Sequence, residues 1–170
     1  MAYFAESADV AEAQGATAEQ VEVLRAAART GELTSAQVTP LLGPYFECLA
    51  DHGMRGEFDG TMEVGPDVEL PQVVVAYIDL PMNTDEEIQS AIELQRACED
   101  TYVGYAWKAI QLAPTTVEAW DADFAARTPA ILACIRDHGG SIDEDAAVSE
   151  IVEAAVAVAE TTGERCMTAG

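Results

Sequence analysis

The chain has 170 residues, 49% of them apolar, which suffices for one domain or a pair of packed lobes and is too hydrophobic for a disordered tail. Asp and Glu total 31 against 8 Lys and Arg, a net charge of -23 that repels nucleic acid and anionic lipid and leaves cations or a basic protein surface as partners. The longest apolar stretches, Val73–Ile78, Ala130–Ile135 and Ala154–Ala159, are far too short for a transmembrane segment.

Residues 1–16 are acidic and alanine-rich, and read as a tether or disordered N-terminus. They lack the basic start and apolar middle of a secretory signal, which fits a chain whose leader or lipid anchor has been removed and equally an intracellular protein. Residues 17–170 read as a single helical domain. Thr17 and Gln20 form a capping-box pattern ahead of a helix that Gly31 ends. Pro40 and Pro44 restrict the next segment to a short turn near Ser35 to Val38 and a helix over about 41–52. Leu42, Tyr45, Phe46 and Leu49 of that helix face the core by their spacing.

Glycine and proline punctuate residues 54–81. Val73 to Leu80 is the best strand in the chain, and Phe58 to Val64 is its partner across a turn at Gly65-Pro66-Asp67. Thr84 with Glu87 opens a long helix predicted to reach Leu112. Another starts at Thr116, is kinked or split by Pro129, and stops at Gly139-Gly140. Ser141 with Glu144 predicts the start of a last helix running to Gly163, its middle buried on most sides. The expectation is a mainly α fold of five to six helices with one small antiparallel β-hairpin over 56–81.

One motif occurs twice. Cys48-Leu49-Ala50-Asp51-His52-Gly53 and Cys134-Ile135-Arg136-Asp137-His138-Gly139 share Cys-x-x-Asp-His-Gly, each at a helix end and each followed by a later cysteine. We read an internal duplication, with one half over about 32–112 and the other over about 115–170. The glycine supports a left-handed helix stop, and the histidine can cap the last carbonyls. The aspartate needs a partner there, for which Arg55 and Arg136 are candidates.

Four cysteines allow three pairings. The duplication selects Cys48–Cys98 and Cys134–Cys166, one disulfide staple per half, and such bridges persist in oxidising compartments. The alternative is a metal: Cys48 with His52 and Cys134 with His138 are each four apart on one helical face, and two such faces could form a zinc site. A weakly bound divalent cation on the acidic surface is a second route. A nucleophilic cysteine beside its histidine lacks an orienting amide nearby.

No dinucleotide fingerprint, phosphate loop, nucleophile elbow or HExxH zinc motif is present, and the acidic runs lack a calcium-loop pattern. No catalytic residue is assigned. Trp107 and Trp120, with Tyr102 and Tyr105, could line a pocket, although aromatics at helical spacing usually belong to a core.

Through Gly31-Glu32-Leu33-Thr34 and Glu47-Cys48-Leu49-Ala50-Asp51-His52-Gly53, the chain resembles uncharacterised exported proteins and lipoproteins of high-GC Gram-positive bacteria. The resemblance covers about residues 15–105 and repeats near Cys134. It implies an extracytoplasmic location and paired cysteines, and no activity. The expected function is therefore a non-enzymatic binding or interaction protein for an unknown protein or small ligand, a cationic one among the candidates; the charge itself chiefly keeps the chain in solution and excludes anionic partners. The hairpin edge Val73 to Leu80 and the groove between the halves are the expected contact surfaces. A metal-binding protein is the runner-up and a hydrolase the third reading. The oligomeric state is left open.

Overall fold

A computed structural model describes residues 2–65 and 68–168. The chain divides into two compact units, residues 1–119 and 120–170, in place of the one domain expected over 17–170. The boundary is close to the predicted division between halves but lies inside a helix.

In the first unit, the predicted tether is a helix. α1 (Ala2–Ala13) buries Phe4, Ala8 and Ala11. These recur at four- and three-residue steps, so a narrow stripe of mostly small side chains holds it against its neighbours. α2 (Ala18–Thr30) starts where predicted: the Thr17 hydroxyl accepts from the Gln20 N–H, and Gly31 takes φ 84° at the other end. α3 (Ser35–Val38) is a single turn, and a 3-10 turn over Thr39–Leu41 leads into α4 (Leu42–Asp51). Leu42, Tyr45 and Leu49 are buried and Phe46 is half-buried, as the spacing requires.

The hairpin comprises β1 (Met54–Gly65) and β2 (Val68–Tyr77), antiparallel; both strands start earlier than predicted, and β2 stops at Tyr77, so Ile78 to Leu80 of the predicted strand lie beyond the ladder. The predicted turn residues Pro66 and Asp67 lie outside the described residues. The strand passes through Pro71 because the ladder shifts register between Phe58 and Thr61, opposite that proline. A bulge tolerates the missing N–H, and Gly60 there has φ 91°. The inward face lies on α4. A methyl group on Gly56 would overlap the Phe46 ring and press Leu49 Cδ1 at 3.0 Å. Gly56→Ala should therefore cost about 1–3 kcal/mol through overpacking. A midpoint of urea unfolding equal to wild type would show that Phe46 moves freely and the seat is loose.

The predicted long helix is two: α5 (Asp85–Tyr102) and α6 (Gly104–Gln111), broken at Val103. The start is a complete capping box, with Thr84 Oγ1 accepting from the Glu87 N–H and Glu87 Oε2 from the Thr84 N–H. The break is filled by Gln20. Its Nε2 donates to the carbonyls of Asp100 and Thr101, both at 3.1 Å, and its Oε1 accepts from the N–H groups of Tyr105 at 2.7 Å and Ala106 at 3.1 Å. The Gln20 side chain is thus a plug 80 residues away in sequence rather than the returning arm of a capping box. It satisfies groups that an interrupted helix leaves orphaned.

α7 (Pro114–Asp137) begins at Pro114, where a missing N–H costs nothing, and runs unsplit through Pro129 across the unit boundary. In the second unit the last helix, α8 (Val148–Thr162), starts later than the predicted Ser141 cap. Residues 141–147 are irregular instead: Arg136 donates to Glu144 and to the Ile142 carbonyl, and Ile142 and Ala146 pack beside the unit's core. Glu150 supplies the cap by accepting from the Ala147 N–H at 2.7 Å. α8 buries Ile151, Ala155 and Val158 against Ile131, Leu132 and Ile135. Its other valines, Val148, Val152 and Val156, are exposed, so it is buried on one face only.

The fold class is as expected: mainly helical with a two-stranded hairpin and two disulfide staples. The helical segments exceed the five or six predicted, because the N-terminus folds and the long helix breaks. No helix among the described residues is long and apolar enough to cross a membrane.

Candidate functional site

Both disulfides join the predicted cysteines. Cys48 of α4 is bonded to Cys98 of α5, with Cα atoms 5.8 Å apart, and Cys134 of α7 to Cys166 of the final 3-10 turn, at 5.5 Å. The two copies of the motif end their helices alike. Gly53 and Gly139 take φ 74° and 85°. Cys98 and Cys166 are buried, Cys48 and Cys134 are half-buried, and His52 and His138 are exposed. The ligand atoms of Cys48, His52 and Cys98 lie within 4.8 Å of one another, and so do those of Cys134, His138 and Cys166. The groups that come together are thus confined to one unit each, whereas the predicted metal set drew Cys48, His52, Cys134 and His138 from both. The motif aspartates are not salt-bridged to the predicted arginines, because Arg55 pairs with Glu57 and Arg136 with Glu144.

A second feature lies under the hairpin, in the first unit. A cleft of 420 Å³ is bounded by Val73 and Val75 of β2, by Tyr45 of α4, by Gln95, Glu99 and Asp100 of α5, and by Trp107, Lys108 and Gln111 of α6. Gln95 and Glu99 are four apart, so both project from one face of α5. The Tyr77 hydroxyl donates to Gln95 Oε1 and ties that face to β2. The cleft therefore has an aromatic wall, two amides and two carboxylates against one lysine.

The titration behaviour follows from that packing. Burial raises the Glu99 carboxyl above its ordinary range, and the neighbouring Asp100 adds to the rise while Arg96 opposes it. Burial pushes the Tyr45 phenol up to about 12, with Glu99 contributing in the same direction. Tyr45 thus stays a neutral hydrogen-bonding group at any physiological pH. Glu99 is thus a carboxyl held partly out of water, with Arg96 offsetting part of the rise.

Of the four aromatics singled out in the sequence, Trp107 lines this cleft. Tyr105 lines a separate groove of 290 Å³ beside α1. Tyr102 packs beside the core and Trp120 is exposed. Sequence reasoning missed Tyr45 as a lining residue, and it assigned neither Gln95 nor Glu99 to a site. A larger groove of 700 Å³ runs along Gly31 to Ser35, Val68 and Thr116. It has no aromatic lining, and it borders the hairpin turn, whose residues 66 and 67 lie outside the described residues.

Comparison with protein-family models, with curated protein sequences and with solved structures returns no match to this chain.

Proposed function

We propose that this is a non-enzymatic extracytoplasmic binding module that takes a cationic ligand, an amine or guanidinium group, in the cleft beneath the hairpin. The observation that carries the reading is the meeting of Glu99 and Asp100 with Trp107 and Tyr45 in one concavity. Carboxylates neutralise a cation and aromatic faces attract it, by about 0.5–2 kcal/mol per contact. The net charge of -23 supports the reading by drawing cations to the surface. Val73 and Val75 give the apolar part of the ligand a wall, so the predicted hairpin surface acts through its inner face. The two disulfides and the resemblance to exported proteins support the location, since such bridges persist in oxidising compartments.

Trp107 fluorescence provides the test, in a Trp120→Phe background. Alkyl and aryl ammonium and guanidinium compounds should change it saturably, and neutral isosteres should not. Glu99→Gln should weaken binding about tenfold, the effect of losing one charged hydrogen bond. The same variant has an opposite effect on stability. A carboxyl whose folded pKa is raised binds its proton more tightly in the folded state, so its ionisation destabilises the fold. Wild type therefore loses stability as pH rises from the unfolded value of 4.5 through the folded value. Glu99→Gln removes that loss and should be the more stable protein at neutral pH, with the advantage shrinking as pH falls through the same window. Equal cation affinity in Glu99→Gln, or no saturable response to any cation, would discard the reading.

A further inference from the structure

We propose that each cysteine–histidine cluster is a latent site for zinc or a similar thiophilic divalent cation, opened when a thiol reductant cleaves its disulfide. The inference is independent of the cleft. Two observations carry it beyond the capping role of the histidines. First, the same three ligands recur with the same order of burial in two units whose other contents differ: one contains a hairpin, and the other has no strand among its described residues. Second, capping does not explain both copies. His138 Nδ1 lies 2.9 Å from the Cys134 carbonyl oxygen, but among the described residues the His52 ring has no hydrogen-bond partner. What the two rings share is the sulfur pair.

The distances suit one ion. His138 Nδ1 is 3.8 Å from Cys134 Sγ. A zinc ion about 2.3 Å from sulfur and about 2.1 Å from nitrogen spans such a gap at a tetrahedral or slightly wider angle. The exposed imidazole and half-buried sulfur leave an entry path from solvent, with the buried sulfur behind. Both clusters also sit at helix C-termini, where the carbonyl ends favour positive charge.

The chemistry balances. Two thiols of the reductant give two electrons and two protons to the disulfide and become a disulfide themselves. Each cluster then holds two cysteine thiols. Zinc binds as the two thiols release their protons, and in the His138 cluster the imidazole moves its proton from Nδ1 to Nε2. Two sulfurs and one nitrogen leave a fourth position for water.

The test uses the full chain, reduced with a phosphine and titrated with cobalt, then zinc. Two cobalt ions per chain should bind with thiolate-to-cobalt charge-transfer absorption, be displaced by zinc, and restore any helical signal lost on reduction. The oxidised chain should show none of this. His52→Ala and His138→Ala should each remove one of the two equivalents, or weaken it at least tenfold. Binding of one ion per chain would point to a site shared by the two motifs and overturn the proposal. So would undiminished affinity in the double histidine variant, cobalt uptake without thiolate absorption, or a reduced chain that stays unfolded with metal present.

Discussion

Replacing Cys134 and Cys166 by alanine is expected to unfold residues 120–170 while residues 1–119 remain folded. The second unit is about 50 residues long, and its buried apolar core comprises Ile131, Leu132, Ile135, Ile151, Ala155, Val158 and Cys166. A core of that size rarely supplies more than about 3–5 kcal/mol. The bridge closes a loop of 32 residues, and its absence frees the unfolded segment by about 3.7 kcal/mol in the chain-entropy account. The loss therefore approaches the whole stability of the unit. The first disulfide closes 50 residues and contributes about 4 kcal/mol, but to a unit with a much larger core. Hydrogen exchange distinguishes the two. Amides of α8 should lose protection in Cys134→Ala/Cys166→Ala, and those of α2 and α4 should keep it. Full protection of α8 in that variant would mean that its packing alone suffices.

Gln20→Ala should cost about 3–5 kcal/mol, although no charge and little apolar surface is removed. Gln20 is fully buried, and its four hydrogen bonds join α2 to both sides of the break at Val103. Truncation strands the carbonyl of Asp100 and the N–H groups of Tyr105 and Ala106, while the Thr101 carbonyl keeps its bond from the Thr17 N–H. An unsatisfied buried group costs about 1–3 kcal/mol, and water entering the cavity recovers part of the sum. Gln20→Glu separates the two kinds of bond. A carboxylate still accepts from Tyr105 and Ala106 but opposes the two carbonyls, so that variant should be severely destabilised at neutral pH. It should recover partly in acid, where the protonated side chain has a donor again. Urea unfolding at two pH values measures both. A loss below 1 kcal/mol in Gln20→Ala would show that the break stands without its plug.

What could be read from the residues was local or repeated. Thr84 and Glu87 lie three apart and act on each other, so their capping box was visible. The pairing of Cys48 with Cys98 and of Cys134 with Cys166 followed from a motif that occurs twice. Interactions between distant segments left no such trace. The Phe4, Ala8 and Ala11 stripe of α1 consists mostly of alanines amid acidic residues, which looks the same in a tether. Gln20 matched a capping pattern while its partners stood 80 residues on. Pro129, by contrast, is a clear breaker that α7 absorbs. The cleft draws Tyr45, Gln95, Glu99 and Trp107 from three helices, and Glu99 is one of 31 acidic residues with nothing in its neighbourhood to mark it. Its raised pKa is a property of packing, not of composition.

The break at Val103 shapes the cleft. The carboxylates of Glu99 and Asp100 project from α5, and Trp107 from α6, so the turn between the helices sets the spacing of acid from ring. Gln20 holds that turn from outside, and Thr17 adds an N–H to the Thr101 carbonyl at 2.9 Å. The clamp belongs to α2 and has no part in the lining. The ordering of the two walls is thus complete when the chain folds; for the cation proposed above, that would make the cleft a preorganised gauge rather than a closing jaw. A gauge of that kind would select the proposed cation by size: a molecule too wide for the gap between acid and ring would gain nothing from being flexible.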